Sequence, residues 1–209
     1  MFLVRTMIYI LLAAVLASAV LFGLWLDVHV LQDKLGEISV TETLQAGMLA
    51  AIIVIHFKLV NDSAFMRNCN LLIGGFFLAM LIRELDGLFD LISHGSWVWF
   101  ALFSSIIVIA YTARHPRRTL AELSRYPLTP YYGMMISGLL CILVFSRLFG
   151  MHSLWESVLG DEYLRVVKNM VEEGAESFGY TLCLTASIAY YFYQLRAERS
   201  LNEQPPTVS

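Results

Sequence analysis

Six long apolar runs dominate this chain and restrict the kind of fold that it can adopt. They cover residues 6–26, 43–60, 70–93, 96–113, 131–149 and 174–195. Each run is close to the roughly 20 residues that a helix needs to cross about 30 Å of hydrocarbon. The sequence has no series of short segments with alternating apolar and polar residues, so helices are the predicted spanning elements. We therefore predict an all-α, polytopic integral membrane protein with six transmembrane helices.

The composition supports a membrane protein and argues against two other classes. Of the 209 residues, 58% are hydrophobic and 15% are charged, whereas soluble domains carry about 25% charged residues. The net charge of −3 and the lack of a basic stripe argue against nucleic-acid binding. Cys69, Cys141 and Cys183 lie within or beside apolar runs without CxxC spacing, so we interpret them as small core residues rather than a disulfide framework.

The first apolar run resembles a signal peptide only in part. Arg5 precedes it, and 17–19 reads Ala-Ser-Ala, a possible cleavage site. The run continues for about twenty residues, however, which exceeds the 7–15 residues of a signal-peptide core. We interpret it as an uncleaved first transmembrane helix. The predicted location is a plasma membrane, such as a bacterial inner membrane, with the lipid bilayer as the main partner.

Charged residues in the connections predict the orientation. Basic residues are more frequent in every second connection, and the remaining connections are richer in acids. The acid-rich connections still contain Lys34, Arg165 and Lys168, so the orientation is predicted from the difference in charge between the two sets. By the positive-inside rule, both termini are predicted to be cytoplasmic. Most of the basic residues lie in, or in one case just before, the connections after the second, fourth and sixth runs: Lys58, Arg67, Arg114, Arg117, Arg118, Arg125, Arg196 and Arg199. The alternate connections carry more acids: Asp27, Asp33, Glu37, Glu42, Glu156, Asp161 and Glu162.

Residues 1–200 are predicted to form a single transmembrane domain, followed by a polar cytoplasmic tail over 201–209. The longest connection, 150–173, is expected to lie on the outer side as an amphipathic segment with Trp155 at interface level. The last helix could begin as early as Asp161 and run to Gln194. At about 1.5 Å per residue it would then be near 50 Å long, so it would either project from the membrane or bend at Gly174.

The third run ends in an unusual amount of charge, in the sequence RELDGLFDLISH over 83–94. At 100° per residue, Arg83, Asp86, Asp90 and His94 fall within an arc of about 80° on one helix face. Glu84 points elsewhere. Charged residues on a lipid-facing surface are costly, so this face is expected to point into the helix bundle.

The last run carries a second polar stripe. It continues from Glu172 and Glu176, with Glu173 on its flank, along most of the helix. A stripe of this length is expected to face the bundle interior or a water-filled cavity. The predicted cavity-lining residues are Tyr180, Cys183, Ser187, Tyr190 and Gln194.

Helix geometry places charges of both signs at one depth. Counted at about 1.5 Å per residue from the cytoplasmic ends of the helices, one layer in the outer half of the membrane contains Arg83, Glu84, Asp86, Arg147 and Glu176. We predict that Arg83 pairs with Glu176 or Asp86. Two arginines cannot neutralise all the nearby acids, so some acids must be hydrated, protonated or bound to a cation.

Two further features of the sequence indicate packing rather than chemistry. Gly133, Ser137 and Cys141 recur at four-residue intervals, a spacing that predicts a face for close helix packing. His56 lies near the end of the second run, and we interpret it as an interfacial or core residue.

Three functions remain open from the sequence. The first is binding or conduction of a cation, proton or polar solute at an outward-facing acidic cavity. The second is a membrane-embedded hydrolase with a divalent metal ion as cofactor, using Asp86, Asp90, His94 and Glu176, with Glu172 and Glu173 as further candidate ligands. The third is a non-catalytic accessory subunit that contacts another membrane protein or a second copy of the chain. The sequence has no phosphate-binding loop, GxSxG or HExxH motif, so it leaves enzymatic activity undecided.

Overall fold

The computed structural model describes residues 2–29, 39–62, 65–160 and 165–202, and every regular element in these ranges is helical. This confirms the predicted all-α class. Residues 203–209 of the predicted tail lie outside the described residues, as do Asp33, Lys34, Glu37, Asp161 and Glu162. The helices are α1 (Phe2–His29), α2 (Val40–Asp62), α3 (Arg67–Glu84), α4 (Asp86–Asp90), α5 (Trp97–Thr112), α6 (Pro116–Arg125), α7 (Tyr132–Leu140), α8 (Ser146–Phe149), α9 (His152–Leu159) and α10 (Arg165–Asn202). A 3₁₀ turn covers Tyr126–Leu128, and a π-helical turn covers Cys141–Phe145.

Three helical segments of the described chain are long and apolar enough to cross a membrane: Thr6–Asp27, Val40–Asp62 and Tyr132–Phe149. A fourth candidate consists of α5 and Pro116–Leu128 taken together, but these two parts are bent by 102°. Helices α3 and α10 contain more polar and charged side chains, which lower their mean hydropathy. Length and composition of these three or four segments thus support a membrane location for the protein.

Helix α10 lies at the centre of the bundle. It packs against α1, α2 and the α7–α8 segment, while α3 packs between α2 and α5. The interior contains fully buried apolar side chains from several helices, such as Leu49, Phe77 and Ile142. Large apolar side chains on the outside, such as Leu11 and Phe103, are exposed. That distribution is the one expected where lipid rather than water surrounds the helices.

Two glycines allow α7 and α10 to approach closely. A Cβ atom on Gly138 would lie 2.7 Å from the carbonyl oxygen of Gly179 and 2.6 Å from Sγ of Cys183. The predicted packing face differs from the observed one, because Gly133 and Ser137 are exposed. Since a helix repeats every 3.6 residues, the buried stripe runs through Met135, Gly138 and Ile142. Of the predicted set, Cys141 does contact α10, through a hydrogen bond to the carbonyl oxygen of Ala175 (3.2 Å).

The bounds of two predicted helices differ from the sequence interpretation. The predicted run 70–93 is divided, because α3 ends at Glu84 and Leu85 leaves the helical conformation before α4 begins. A turn then follows, in which Gly95 has a φ of +75°, a conformation that glycine adopts without steric cost. In contrast, α10 extends beyond its predicted run at both ends and continues through Gly174 as one helix.

Two buried carboxylates fix the starts of neighbouring helices. Asp27 of α1 accepts hydrogen bonds from the backbone N–H groups of Val40 (2.8 Å) and Thr41 (3.0 Å). Glu122 of α6 accepts them from the N–H groups of Asn68 (2.7 Å) and Cys69 (3.0 Å). The first N–H groups of a helix have no intrahelical partner, and a carboxylate there also suits the helix dipole. These contacts set the position of α2 against α1 and of α3 against α6.

The predicted amphipathic segment after residue 150 contains a short helix. Helix α9 packs beside the end of α8, where Nε1 of Trp155 donates a hydrogen bond to the carbonyl oxygen of Phe149 (2.5 Å). Residues 161–164, between α9 and α10, lie outside the described residues. Helix α10 is described from Arg165 onward.

Candidate functional site

A polar cavity of about 220 Å³ opens at one end of the bundle. Six of its lining residues are acids and two are arginines. Helices α2, α3, α4, α8 and α10 each contribute at least one of them. The lining residues are Glu42, Arg83, Glu84, Asp86, Arg147, Asn169, Glu172, Glu173 and Glu176.

Arg147 connects α8 to α10 at one side of the cavity. Its guanidinium forms an ion pair with Glu176 and lies 3.5 Å (Nη1 to Oε1) from Glu172. The Ser146 hydroxyl donates a second hydrogen bond to Glu176 (3.2 Å), and Lys168 pairs with Glu172 (2.9 Å). The π-helical turn just before α8 adds one residue to that turn, which rotates the following side chains by about 100° relative to a regular helix. This rotation helps to direct Arg147 toward α10.

The other acids of the cavity have neutral partners. Glu84 accepts a hydrogen bond from the Tyr180 hydroxyl (3.2 Å), and Glu173 accepts one from Nε2 of Gln45 (2.8 Å). Among the described residues, no lysine or arginine lies within 4 Å of the carboxylates of Glu84, Glu173 or Asp86. The cavity therefore contains more carboxylates than the described cations neutralise by direct contact.

The predicted pairing of Arg83 differs from the structure. Arg83 lines the cavity, but within the described ranges it forms no ion pair with Glu176 or Asp86. Arg147 takes the position opposite Glu176. The reason is the arrangement of the helices, since α8 packs directly on α10 whereas α3 packs on α2 and α5. Arg83 and Arg147 are predicted at the same depth, so depth alone does not indicate which of them lies closer to Glu176.

Asp90 and His94 lie outside the cavity lining. Asp90, the last residue of α4, pairs with His94 of the exposed turn that follows, with 2.8 Å between Oδ2 and Nδ1. The Gly95 N–H also donates to Asp90 (2.8 Å). These two hydrogen bonds hold the pKa of Asp90 below its ordinary value, because they favour the charged carboxylate. The bond from Gly95 has the larger effect, and the bond from His94 has the smaller one.

The predicted metal site is not assembled by the residues that the sequence proposed. The cavity is lined by Asp86, Glu172, Glu173 and Glu176, while Asp90 and His94 pair with each other outside it. In the part of the chain that the structure describes, no group of three or more His, Cys, Asp or Glu side chains is placed to hold a metal ion. The break at Leu85 explains the separation, because it ends the single helix face on which the prediction rested.

The predicted cavity-lining stripe of α10 packs inside the protein instead. All five residues are buried, and none lines the cavity. Ala189, on another side of the helix, is fully buried as well, because α10 is surrounded by α1, α2 and α7. A polar stripe does not require a cavity, because its side chains can form hydrogen bonds with protein groups as well as with water. The five residues are Tyr180, Cys183, Ser187, Tyr190 and Gln194.

A second polar cluster lies near the opposite end of α10. The buried His56 ring contacts Oδ1 of Asn70 (3.1 Å) through Nδ1 and Oγ of Ser187 (3.3 Å) through Nε2. The Tyr190 ring stacks on His56 with 6.0 Å between centroids. The Tyr190 hydroxyl also accepts a hydrogen bond from Gln194 (2.6 Å). His56 is thus a buried core residue whose two nitrogens both have polar neighbours.

Sequence reasoning missed part of the cavity. The sequence interpretation assigns Glu42 to a connection and does not include Asn169, yet both residues line the cavity. Lys168 and Glu172 are four residues apart in one helix, a spacing that predicts a pair. The contribution of Gln45 could not be predicted, because its contact with Glu173 joins residues 128 positions apart.

Apolar helices of spanning length are typical of α-helical membrane proteins. The comparison with known proteins adds no narrower class. No family model, no curated protein and no solved structure matches the chain. The function is therefore inferred from the cavity and from the charges around it.

Proposed function

We propose that the chain is a small multi-pass membrane protein that binds a cationic solute at the acidic cavity. In this proposal it has six spans and cytoplasmic termini, and the cavity faces the outer side. One observation carries the proposal. Glu84, Asp86 and Glu173 surround the cavity without a lysine or arginine in direct contact among the described residues.

The energy of charged groups in a membrane supports this function. Placing a carboxylate at the centre of a bilayer costs about 2.5–3.5 kcal/mol on insertion scales, and less toward the interface. Several carboxylates around one cavity also repel each other. A bound cation would relieve both effects, because it supplies the positive charge that Arg83 and Arg147 supply only in part.

The shape of the site favours an organic cation over a chelated metal ion. Among the described residues, no group of three or more His, Cys, Asp or Glu side chains is placed to hold a metal ion. A metal ion would therefore bind only with its hydration shell. The cavity of about 220 Å³ exceeds the roughly 150 Å³ that suffices for a benzene molecule. It can therefore accept a small ammonium compound whose charge interacts with several carboxylates.

Binding is better supported than conduction. A permeation route would need polar space along α10, but Tyr180, Ser187 and Tyr190 are fully buried against other helices. The polar atoms of this stripe contact protein groups, as in the pairs of Tyr180 with Glu84 and of Ser187 with His56. The cavity thus resembles a closed-ended binding site.

Thermal unfolding of the purified protein in a neutral detergent tests the proposal. Sodium chloride, magnesium chloride and the diamine putrescine are compared at equal ionic strength. Putrescine should raise the midpoint of unfolding more than either salt, since a ligand that binds only the folded state stabilises it. Glu84→Gln and Glu173→Gln should each reduce this shift, whereas Glu156→Gln, outside the cavity, should retain it.

Two results would contradict cation binding. Equal midpoints in all three solutions would show no selective site, and an unchanged putrescine shift in both variants would place any site elsewhere. The first result would favour the accessory-subunit function. The fully packed stripe of α10 is the observation that supports that second candidate.

A further inference from the structure

Helix α6 runs across the end of the bundle rather than along it. The segment Pro116–Leu128 is bent by 102° from α5. If α5 crosses the membrane, this angle places α6 close to the plane of the membrane surface, at the level where α5 ends. The cavity lies at the other end of α3, so the argument for α6 uses different residues from the proposed function.

Buried polar contacts hold α6 in this orientation. Thr119 and Glu122 are buried against the start of α3, where Nδ2 of Asn68 donates to Oγ1 of Thr119 (2.9 Å). Glu122 accepts the first N–H groups of α3 and also pairs with Arg118 (2.7 Å). One face of α6 is thus fixed to the protein, and the remaining faces point away from it.

The outward side of α6 combines leucines and arginines. Leu120 is 67% exposed, and Leu123 of α6 and Leu128 of the following 3₁₀ turn are exposed as well. At the start of the helix, a cleft of about 370 Å³ is lined by the turn that follows α5 and by the first residues of α6. Three arginines surround it. The residues of the cleft are Arg114, His115, Pro116, Arg117 and Arg118.

We propose that the basic cleft at 114–118 and the leucines of α6 form a docking surface for anionic phospholipid. The phosphate of the headgroup would bind between the arginines, and the acyl chains would cover Leu120 and Leu123. Charge complementarity selects this occupant: guanidinium groups bind phosphate oxygens by paired, charge-assisted hydrogen bonds. Backbone N–H groups at the start of α6 favour the same negative charge. The exposed leucines distinguish a lipid from a free phosphate ion, which would gain nothing from them.

The test uses the full chain in a neutral detergent, with three added probes. These are short-chain phosphatidylglycerol, short-chain phosphatidylcholine and inorganic phosphate. Phosphatidylglycerol should raise the midpoint of thermal unfolding at concentrations where the other two have little effect. An equal shift with inorganic phosphate would overturn the lipid proposal in favour of a simple anion site. No shift with phosphatidylglycerol would overturn it entirely.

Matched variants locate the surface. Arg117→Gln should raise the phosphatidylglycerol concentration for half-maximal stabilisation about fivefold, the effect expected from removing one basic residue near an anionic surface. Arg165→Gln, which removes an exposed arginine at the start of α10, should leave it unchanged. If the two variants behave alike, α6 is not the docking surface. Arg114→Gln serves as a second variant should Arg117→Gln lower the midpoint without lipid.

The apolar part of the surface has its own pair of variants. Leu120→Ser should weaken the phosphatidylglycerol effect, because it removes contact with the acyl chain. Leu88→Ser is the control, since Leu88 is 63% exposed in α4, close to the value for Leu120. An effect of Leu88→Ser equal to that of Leu120→Ser would contradict a specific surface on α6.

Discussion

Arg147 and Glu176 form an ion pair that joins α8 to α10 at the edge of the acidic cavity. The Glu176 side chain is only 5% exposed, whereas that of Arg147 is 42% exposed. Arg147 is thus the more exposed partner of the pair, and its guanidinium also lies 3.5 Å from Glu172. The charged groups that line the cavity therefore also hold its walls together.

Removal of Arg147 should destabilise the protein more than removal of Arg83. Arg147→Ala would leave Glu176 buried with the Ser146 hydroxyl as its remaining partner, which should cost roughly 2–3 kcal/mol. Arg83→Ala should cost less, because Arg83 makes no ion pair among the described residues. Thermal unfolding in detergent measures both. Adding Glu176→Gln to Arg147→Ala should recover part of the loss, and a double variant no better than the single one would exclude this pairing.

Cysteine accessibility should separate the cavity from the packed stripe. In a Cys141→Ser background, Ser187→Cys and Ala189→Cys should both resist a small water-soluble thiol reagent, because both positions are buried. Asp86→Cys and Asn169→Cys should react, because these positions line the cavity. The extent of labelling is read by mass spectrometry. Fast labelling at Ser187→Cys alone would indicate a wet path along α10 and would support conduction.

Two glycines of α7 should respond in opposite ways to alanine. Gly138→Ala should destabilise the protein by about 1–3 kcal/mol, because the added Cβ meets the backbone of α10 at Gly179. Gly133→Ala should be neutral or slightly stabilising, since its Cβ meets nothing within 4 Å and alanine favours the helix. Unfolding midpoints of the two variants provide the comparison. Equal losses would mean that α7 faces α10 differently.

Reporter fusions test the proposed orientation. A reporter fused after Arg117 should be cytoplasmic, and one fused after Asp161 should be external, because basic residues are retained on the cytoplasmic side. Activity of a paired alkaline phosphatase and fluorescent-protein reporter measures this directly. The reverse pattern would overturn both the charge-bias interpretation and the assignment of the cavity to the outer side.

The sequence predicted the class of fold well because that prediction depends on local properties. Long apolar runs require helices wherever water is excluded, and the described chain is helical throughout its regular elements. The bounds were less predictable. Four charged residues fitted one helix face in the sequence, namely Arg83, Asp86, Asp90 and His94. The helix breaks at Leu85, however, and hydropathy contains no signal for that break.

The candidate site was predicted in its composition more than in its contacts. Arg83, Glu84, Asp86 and Glu176 do share one cavity, as their common depth suggested. Depth along a helix axis is one coordinate, however, and contacts depend on all three. It gave no basis for choosing between Arg83 and Arg147 as the partner of Glu176, nor for separating Asp90 from the other acids.

The amino-acid sequence alone determined that this chain forms apolar helices and that acids gather near one end of them, because periodicity and hydropathy act within each helix. Tertiary structure decided which polar groups meet. Helix α10 became the central element, so its stripe from Tyr180 to Gln194 found protein partners and no cavity formed there. The close approach at Gly138 and Gly179 and the cap of α3 by Glu122 likewise join distant parts of the chain. Such contacts depend on how helices pack in three dimensions, which no single stretch of sequence contains.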